Sequence, residues 1–373
     1  MHWGIDAQRL SGQRLGVGRY IEQLVGHWAD MKRASDRLTL FVRERGAASD
    51  LPFPSGFSVS APGPKLSGQL WQNLVLPRHT GDLDVLFCPS YTAPLRYRGR
   101  CVVAIHSTNE IMAGTHSWLH QQTYARLYRM SARRADRVIV PSESTKQDIQ
   151  VLYGIPASKI DVVPQGANAD FRPLDDPELM RATRVRYLGE DVPYVVFVGK
   201  LSLRRNIPVL LEAFAQLKRT TALPHKLLLM GPNSSDVPLA RLTTELGLTD
   251  SVIQTDGRVA SHRELVPVYN AADLYVNASS YEGFSMTLVE AIACGTPVVG
   301  VNRAAVGEIA GECGLMVAEP DRDLLAGAME RALTDRALHA ELRRKGLERA
   351  NDFRWENTAR LTLDVLRRVG EAA

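Results

Sequence analysis

Cysteine is scarce in this chain: Cys88, Cys101, Cys294 and Cys313 are the only four in 373 residues. None belongs to a C-x-x-C pair and no histidine cluster accompanies them. That excludes a disulfide framework or a zinc site as the organising element and favours a reducing compartment. Long apolar runs are missing as well. No stretch approaches the roughly 18 residues that a membrane span needs. The first eight residues, which include Asp6, lack the apolar core of a signal peptide. Charge of one sign is missing too, because 45 Lys plus Arg against 41 Asp plus Glu leave only +4. A nucleic-acid binder would carry a concentrated basic face, and the acidic residues form no cluster that demands a metal. The expectation is a cytoplasmic protein, soluble or peripheral to the inner face of a membrane.

What is present is a rhythm. Short β-branched runs occur at 2–6, 38–42, 85–87, 102–105, 138–140 and 161–163, then at 194–198, 226–230, 252–254, 274–277, 298–301 and 315–317. Continuous apolar runs of this kind mark parallel strands buried on both faces. Longer helical patterns alternate with them, which argues for βαβ units. Ile207, Leu210, Leu211, Phe214 and Leu217 form one apolar helical face, with Asn206 placed to cap it and Pro208 tolerated in the first turn. Residues 170–193 carry Pro173, Asp175-Asp176-Pro177, Gly189 and Pro193 and read as a linker holding one short helix. The length suits two domains, and no solenoid period is visible. The predicted domains are 1–175, joined by a returning helix at 354–373, and 191–353. In doubly wound sheets ligands sit at the carboxyl ends of strands, so the chemistry is expected in loops that follow strands, around a cleft between two such domains.

Four such loops stand out. Tyr281-Glu282-Gly283-Phe284-Ser285-Met286-Thr287 follows the 274–277 strand and leads into a helix carrying Glu290. Gly283 permits close backbone approach, a helix start near Ser285–Thr287 suits a phosphate, and carboxylates accept sugar and ribose hydroxyls. Spacing alone leaves two solvated glutamates equally open. Gly199-Lys200-Leu201-Ser202-Leu203-Arg204-Arg205-Asn206 crowds three cations into one strand-to-helix loop, fitted to a departing diphosphate or simply to solvent. Gly16-Val17-Gly18 precedes the helical pattern 21–28, but Ile21 stands at the third glycine position of a dinucleotide fingerprint. His106 ends the 102–105 strand, where it could bond a sugar hydroxyl, assist proton movement or serve structure alone. A basic helix at 123–137, with Arg126, Arg129, Arg133, Arg134 and Arg137, reads first as a solvated face and second as a contact for anionic lipid.

Together these segments resemble the retaining glycosyltransferases of family 4. The resemblance is carried by Gly4-Ile5-Asp6-Ala7 with Gly16-Val17-Gly18-Arg19-Tyr20, by Val140-Pro141-Ser142-Glu143-Ser144, and by Val162-Val163-Pro164-Gln165-Gly166. Its most specific part is the E-x7-E stretch from Glu282 to Glu290, followed by Ala291-Ile292-Ala293-Cys294-Gly295-Thr296-Pro297. The resemblance is greatest to mannosyltransferase-like members and implies the α/β GT-B fold, two Rossmann-like domains facing across a cleft. It further implies that Glu290 binds the nucleotide ribose and that Glu282, Gly283, Phe284, Ser285 and Met286 hold the donor sugar. Lys200 and Arg205 fall where the family binds diphosphate, and Val259 lies where the backbone meets the base. Gly16 and Gly18 belong near phosphate and acceptor, and His106 near the reacting sugar. Glu282, His106 and Arg205 are then the catalytic candidates. Phe353-Arg354-Trp355-Glu356 with Ala359, Thr362, Leu363 and Leu366 resembles the family's final helix, which packs on the N-terminal domain.

Departures from the pattern are Arg205 for the usual lysine, Ser107 for aspartate, Gln165 for asparagine, and Ser285-Met286-Thr287 for Gly-Leu-Pro. The implied reaction moves a hexosyl group, mannosyl favoured, from a nucleoside diphosphate sugar such as GDP-mannose to a hydroxyl of a glycan or lipid-linked sugar, without a metal. Segments 62–72 and 107–120 are expected to choose the acceptor. An epimerase on the same fold and a non-catalytic sugar-nucleotide-binding module are the alternatives. A nicotinamide oxidoreductase is excluded by the incomplete fingerprint.

Overall fold

The computed structural model describes residues 1–11, 16–44, 46–47, 56–64, 66–111, 118–233, 237–256 and 261–372. The chain divides into two compact units, Met1–Gln165 with Trp355–Ala373, and Gly166–Arg354.

Unit 1 is built on seven parallel strands: β1 His2–Asp6, β2 Arg37–Phe41, β3 Phe57–Ser60, β4 Val85–Cys88, β5 Cys101–Ala104, β6 Arg137–Val140 and β7 Ile160–Val162. Their order is β3-β2-β1-β4-β5-β6-β7. Unit 2 has six: β8 Tyr194–Val198, β9 Lys226–Met230, β10 Val252–Thr255, β11 Leu274–Asn277, β12 Val298–Val301 and β13 Gly314–Val317, ordered β10-β9-β8-β11-β12-β13. All pairings are parallel, with Val195 of β8 opposite Leu227 of β9 and Leu274 of β11. Side chains alternate across the sheet. Tyr194, Val196 and Val198 enter one core cluster, and Val195 and Phe197 enter another. Both sheets reverse their winding beside the first strand, at β1/β4 and at β8/β11. That reversal leaves a crevice at the carboxyl ends of those strands.

One strand escapes the sequence pattern. β3 is an edge strand of Phe57-Ser58-Val59-Ser60, half-buried to exposed, so it needs no apolar run. The predicted linker is also reassigned, because residues 166–193 pack into unit 2. Phe171 and Leu188 join its core beside Val268 and Tyr269. Between them lies the helix Pro177–Leu188, capped by Asp176, whose side chain accepts from Leu179 N at 2.9 Å, and closed by Gly189 at φ 79°. The Pro and Gly that suggested a linker are the start and stop of that helix.

Asn206 is a second correction. It precedes the helix Ile207–Thr220 as expected, but at φ 51° and with no capping bond. Its amide instead donates to Ala278 O and Ser280 Oγ, both at 2.7 Å, tying the loop after β8 to the loop after β11.

The final helix, Trp355–Gly370, belongs to unit 1. Ala359, Thr362, Leu363 and Leu366 are all buried. Trp28 Nε1, on the helix Val17–Met31, donates to Ala359 O at 2.8 Å, and the Tyr20 and Trp355 rings meet edge-on at 5.9 Å. The expected basic helix is Trp118–Arg134, with Arg126, Arg129 and Arg133 exposed. Arg134 turns inward to the carbonyls of Tyr97 and Gly99, and Arg137 starts β6 and pairs with Asp161 at 2.7 Å. Two of its five cations therefore serve the fold. Among the described residues no helix is long and apolar enough to cross a membrane.

Candidate active site

The loop after β8 begins with a close backbone approach. Gly199 has φ 139°, and its N–H donates to Met230 O at 2.9 Å. A Cβ on neighbouring Gly231 would run into the Gly199 carbonyl, so both chain ends at this point are held to glycine. The loop then turns through a short 3-10 segment, Leu203–Arg205. Arg205 folds back over it. Its Nη1 donates to Lys200 O at 3.1 Å, its guanidinium lies 6.0 Å from the Phe197 ring centre, and its Nε is 3.2 Å from Glu282 Oε1. Lys200 remains exposed.

The loop after β11 answers it residue by residue. Arg204 donates to Tyr281 O and stands 3.5 Å from Glu282 Oε1, while Ser280 N donates to Arg204 O at 3.0 Å. Ser279 Oγ donates to Glu282 Oε1 at 3.0 Å. Asn277, 2 % exposed, accepts from Ser279 N and donates to Ser285 Oγ, both at 3.0 Å. A continuous chain of contacts therefore runs from Lys200 through Arg205 and Glu282 to Ser285. There the helix Met286–Cys294 begins with no side chain capping it. An uncapped start leaves first-turn N–H groups and the positive dipole end available to an anion. Thr287 Oγ1 bonds Tyr275 OH at 2.8 Å; burial pushes the Tyr275 hydroxyl up to about 12, against the opposing pull of that bond. Phe284 leans on Phe353 at 5.9 Å, Gly283 is buried and Met286 half-buried.

Glu290 is 1 % exposed, so the reading of a solvated glutamate fails. Its Oε1 accepts from His262 Nε2 at 2.7 Å and its Oε2 from Tyr269 OH at 3.1 Å. Glu282 is mostly buried as well.

In unit 1, His106 lies just past β5, half-buried between Tyr20 and Tyr91, whose rings meet it edge-on at 4.8 and 5.5 Å. Its Nε2–H donates to Pro89 O at 2.8 Å, and its Nδ1 accepts from Gln165 Nε2 at 2.8 Å. Burial holds its pKa down at about 4, against the opposing pull of the Pro89 carbonyl. Both ring nitrogens are thus engaged in a neutral imidazole, and proton movement through it would first break one of these bonds. Gly16, at φ 50°, precedes the helix Val17–Met31, and Gly18 is buried inside its first turn rather than in a loop. Residues 12–15, and Val259 within 257–260, lie outside the described residues.

Two family models match this chain. "Glycosyltransferase Family 4" covers residues 15–171 and "Glycosyl transferases group 1" covers residues 182–349. The chain belongs to glycosyltransferase family 4. Among curated relatives, O-antigen chain mannosyltransferase B of Escherichia coli is 27% identical over 231 residues, 62% of this chain and 60% of that protein. D-inositol 3-phosphate glycosyltransferase of Rhodococcus erythropolis is 33% identical over 245 residues, 63% of this chain and 54% of that protein. The chain thus spans somewhat over half the length of these two relatives. Two solved structures share the fold end to end. Sucrose-phosphate synthase of Thermosynechococcus elongatus has a TM-score of 0.78 at 23% identity, covering 100% of both chains. HepE of Anabaena, solved in complex with UDP and glucose, has a TM-score of 0.76 at 18% identity, covering 98% of both. The fold of this family 4 chain is GT-B, with two Rossmann-like units.

Of the residues described above, sequence reasoning picked out Lys200, Arg205, Glu282, Ser285 and Glu290. It missed the side chains that hold them: Asn277, Ser279, His262 and Tyr269. Asn277 and Ser279 flank the end of a strand already recognised, which was a usable signal. His262 lies 28 residues from Glu290, and no local pattern connects the two.

Proposed function

We propose that this family 4 chain is a retaining hexosyltransferase, moving mannose from GDP-mannose to a hydroxyl of a glycan or lipid-linked sugar. The observation that carries this reading is the lattice joining Lys200, Arg205, Glu282 and Ser285 at the carboxyl ends of β8 and β11, closed by an uncapped helix start. In it, Lys200, Arg205 and the first turn of the helix meet the diphosphate, whose charge grows as the bond to the sugar breaks. Glu282 and the 283–286 backbone face the sugar, and Glu290 takes the ribose. The leaving phosphate accepts the proton of the acceptor hydroxyl on the same face, so neither a protein base nor a metal is needed. The similarity to O-antigen chain mannosyltransferase B supports mannose.

A thermal-shift series with GDP-mannose, UDP-glucose and other nucleotide sugars tests donor binding, since a ligand selective for the folded state raises its melting temperature. GDP-mannose is expected to give the largest shift and to be consumed when a glycan acceptor is added. A larger shift with a UDP sugar would keep the reaction and replace the donor, and the absence of any shift would remove the reading. A phosphorylated polyol acceptor is a second reading, favoured by the 33% identity to D-inositol 3-phosphate glycosyltransferase, and inositol phosphate belongs in the acceptor panel. Conversion of the donor with no acceptor present would instead indicate an epimerase.

A further inference from the structure

Glu290 is assigned to the donor ribose above, yet its carboxylate is 1 % exposed and already holds two donors. A ribose diol binds a carboxylate through two O–H donors and has to reach both the oxygens and the space in front of them. Something must move first. Tyr269 is no candidate, since it is fully buried, packed edge-on against Phe171 at 6.0 Å and Tyr275 at 6.1 Å, and anchored in the helix Leu265–Ala271. His262 is different in each respect. It opens a three-residue 3-10 segment, His262–Glu264, its side chain is 23 % exposed, and it rests on the Phe171 ring at 5.1 Å. Its bond to Glu290 is the more solvent-facing of the two.

We infer that His262 is a latch on the ribose subsite, satisfying Glu290 while the site is empty and giving way to the ribose hydroxyls when donor binds. This rests on the donor reading above. The physical logic is exchange: a buried carboxylate left unpaired is costly, so a stand-in donor keeps it satisfied and correctly turned. The same stand-in has to be displaced, so it weakens nucleotide binding. His262 therefore tunes how tightly donor is held, and thereby how readily the spent nucleoside diphosphate leaves.

The test is isothermal titration of GDP, UDP and their 2′,3′-dideoxy forms into the wild type and His262→Ala. Whichever diphosphate binds the wild type is expected to bind His262→Ala about tenfold tighter, the worth of one hydrogen bond to a charged group. The corresponding dideoxy form, which cannot displace the imidazole, is expected to bind both proteins alike. As a readout that needs no variant, the His262 ring resonance in 15N-histidine spectra of the wild type is expected to move with the diphosphate and to stay with its dideoxy form. Equal or weaker binding of the diphosphate by the variant, or equal movement of the resonance with both forms, overturns the latch and leaves the donor reading standing. If neither GDP nor UDP binds the wild type, the donor reading falls and takes the latch with it.

Discussion

The carboxyl ends of β1 and β8 hold the same position in their two sheets, beside the strand where winding reverses, yet they carry opposite chemistry. β1 ends in Asp6, 1 % exposed, whose carboxylate accepts from Gln72 Nε2 at 2.6 Å and Gln8 Nε2 at 3.1 Å. Burial raises the Asp6 pKa from its ordinary value, although both amide bonds pull it down. β8 is followed by Lys200, Arg204 and Arg205, half-buried or exposed and tied to the next loop. One strand end is an internal brace, a buried carboxyl group satisfied by neutral amides; the other presents cations. Equivalent topology therefore fixes where a ligand could sit, and the loop decides which sheet is equipped for an anion.

The comparison breaks most sharply at Arg205. Arg205→Ala is expected to lower turnover by about 100- to 1000-fold in a transfer assay, the usual effect of removing one group that stabilises charge in the transition state. Near-normal turnover would reduce this loop to a solvated basic patch. Gly231→Ala is expected to cost about 3 kcal/mol of stability in denaturant titration, because its Cβ meets the Gly199 carbonyl. A neutral result would mean that the close approach does not hold the cation loop in place. Asp6→Asn is expected to cost about 2 kcal/mol, by turning an N–H₂ toward donors that had an oxygen, while turnover per folded molecule changes little. A large loss of turnover with stability intact would make the β1 end a reactive site and erase the contrast.

The smallest effect concerns His106. The unfolded chain takes up this proton near the ordinary histidine value, the folded chain only near pH 4. Between those values the unfolded state binds more protons, so stability falls as pH falls. Lowering the pH from about 6.5 to 5 should cost about 1.5 kcal/mol through this group. His106→Asn should flatten that part of the curve of melting temperature against pH.

Most strands were legible because a parallel strand buried on both faces cannot avoid an apolar run, as Tyr194–Val198 and Val298–Val301 show. β3 lies at an edge and had no such obligation. Pro177 and Gly189 were visible as breaks, but composition alone does not distinguish a helix's own boundaries from those of a linker. Asn206 carries a capping residue's identity, and only the loop 72 positions away reveals where its amide goes. The same holds at the site. Glu282 and Glu290 stand on one helix and its approach, where the resemblance to family 4, rather than spacing alone, picks them out. Gln165 on His106, and His262 on Glu290, are pairings made by the fold across 59 and 28 residues.

The helix Trp355–Gly370 has a consequence for biogenesis. Its partners lie far back in the chain: Trp28 Nε1 donates to Ala359 O, and Arg100 Nη1 donates to Gly370 O, each at 2.8 Å. A polypeptide leaving the ribosome presents its earliest residues first, so the groove beside the helix Val17–Met31 stays uncovered while all of residues 166–354 are synthesised. Unit 2 is in effect an insertion inside unit 1. The sheet of unit 1 is therefore sealed only after unit 2 has been made.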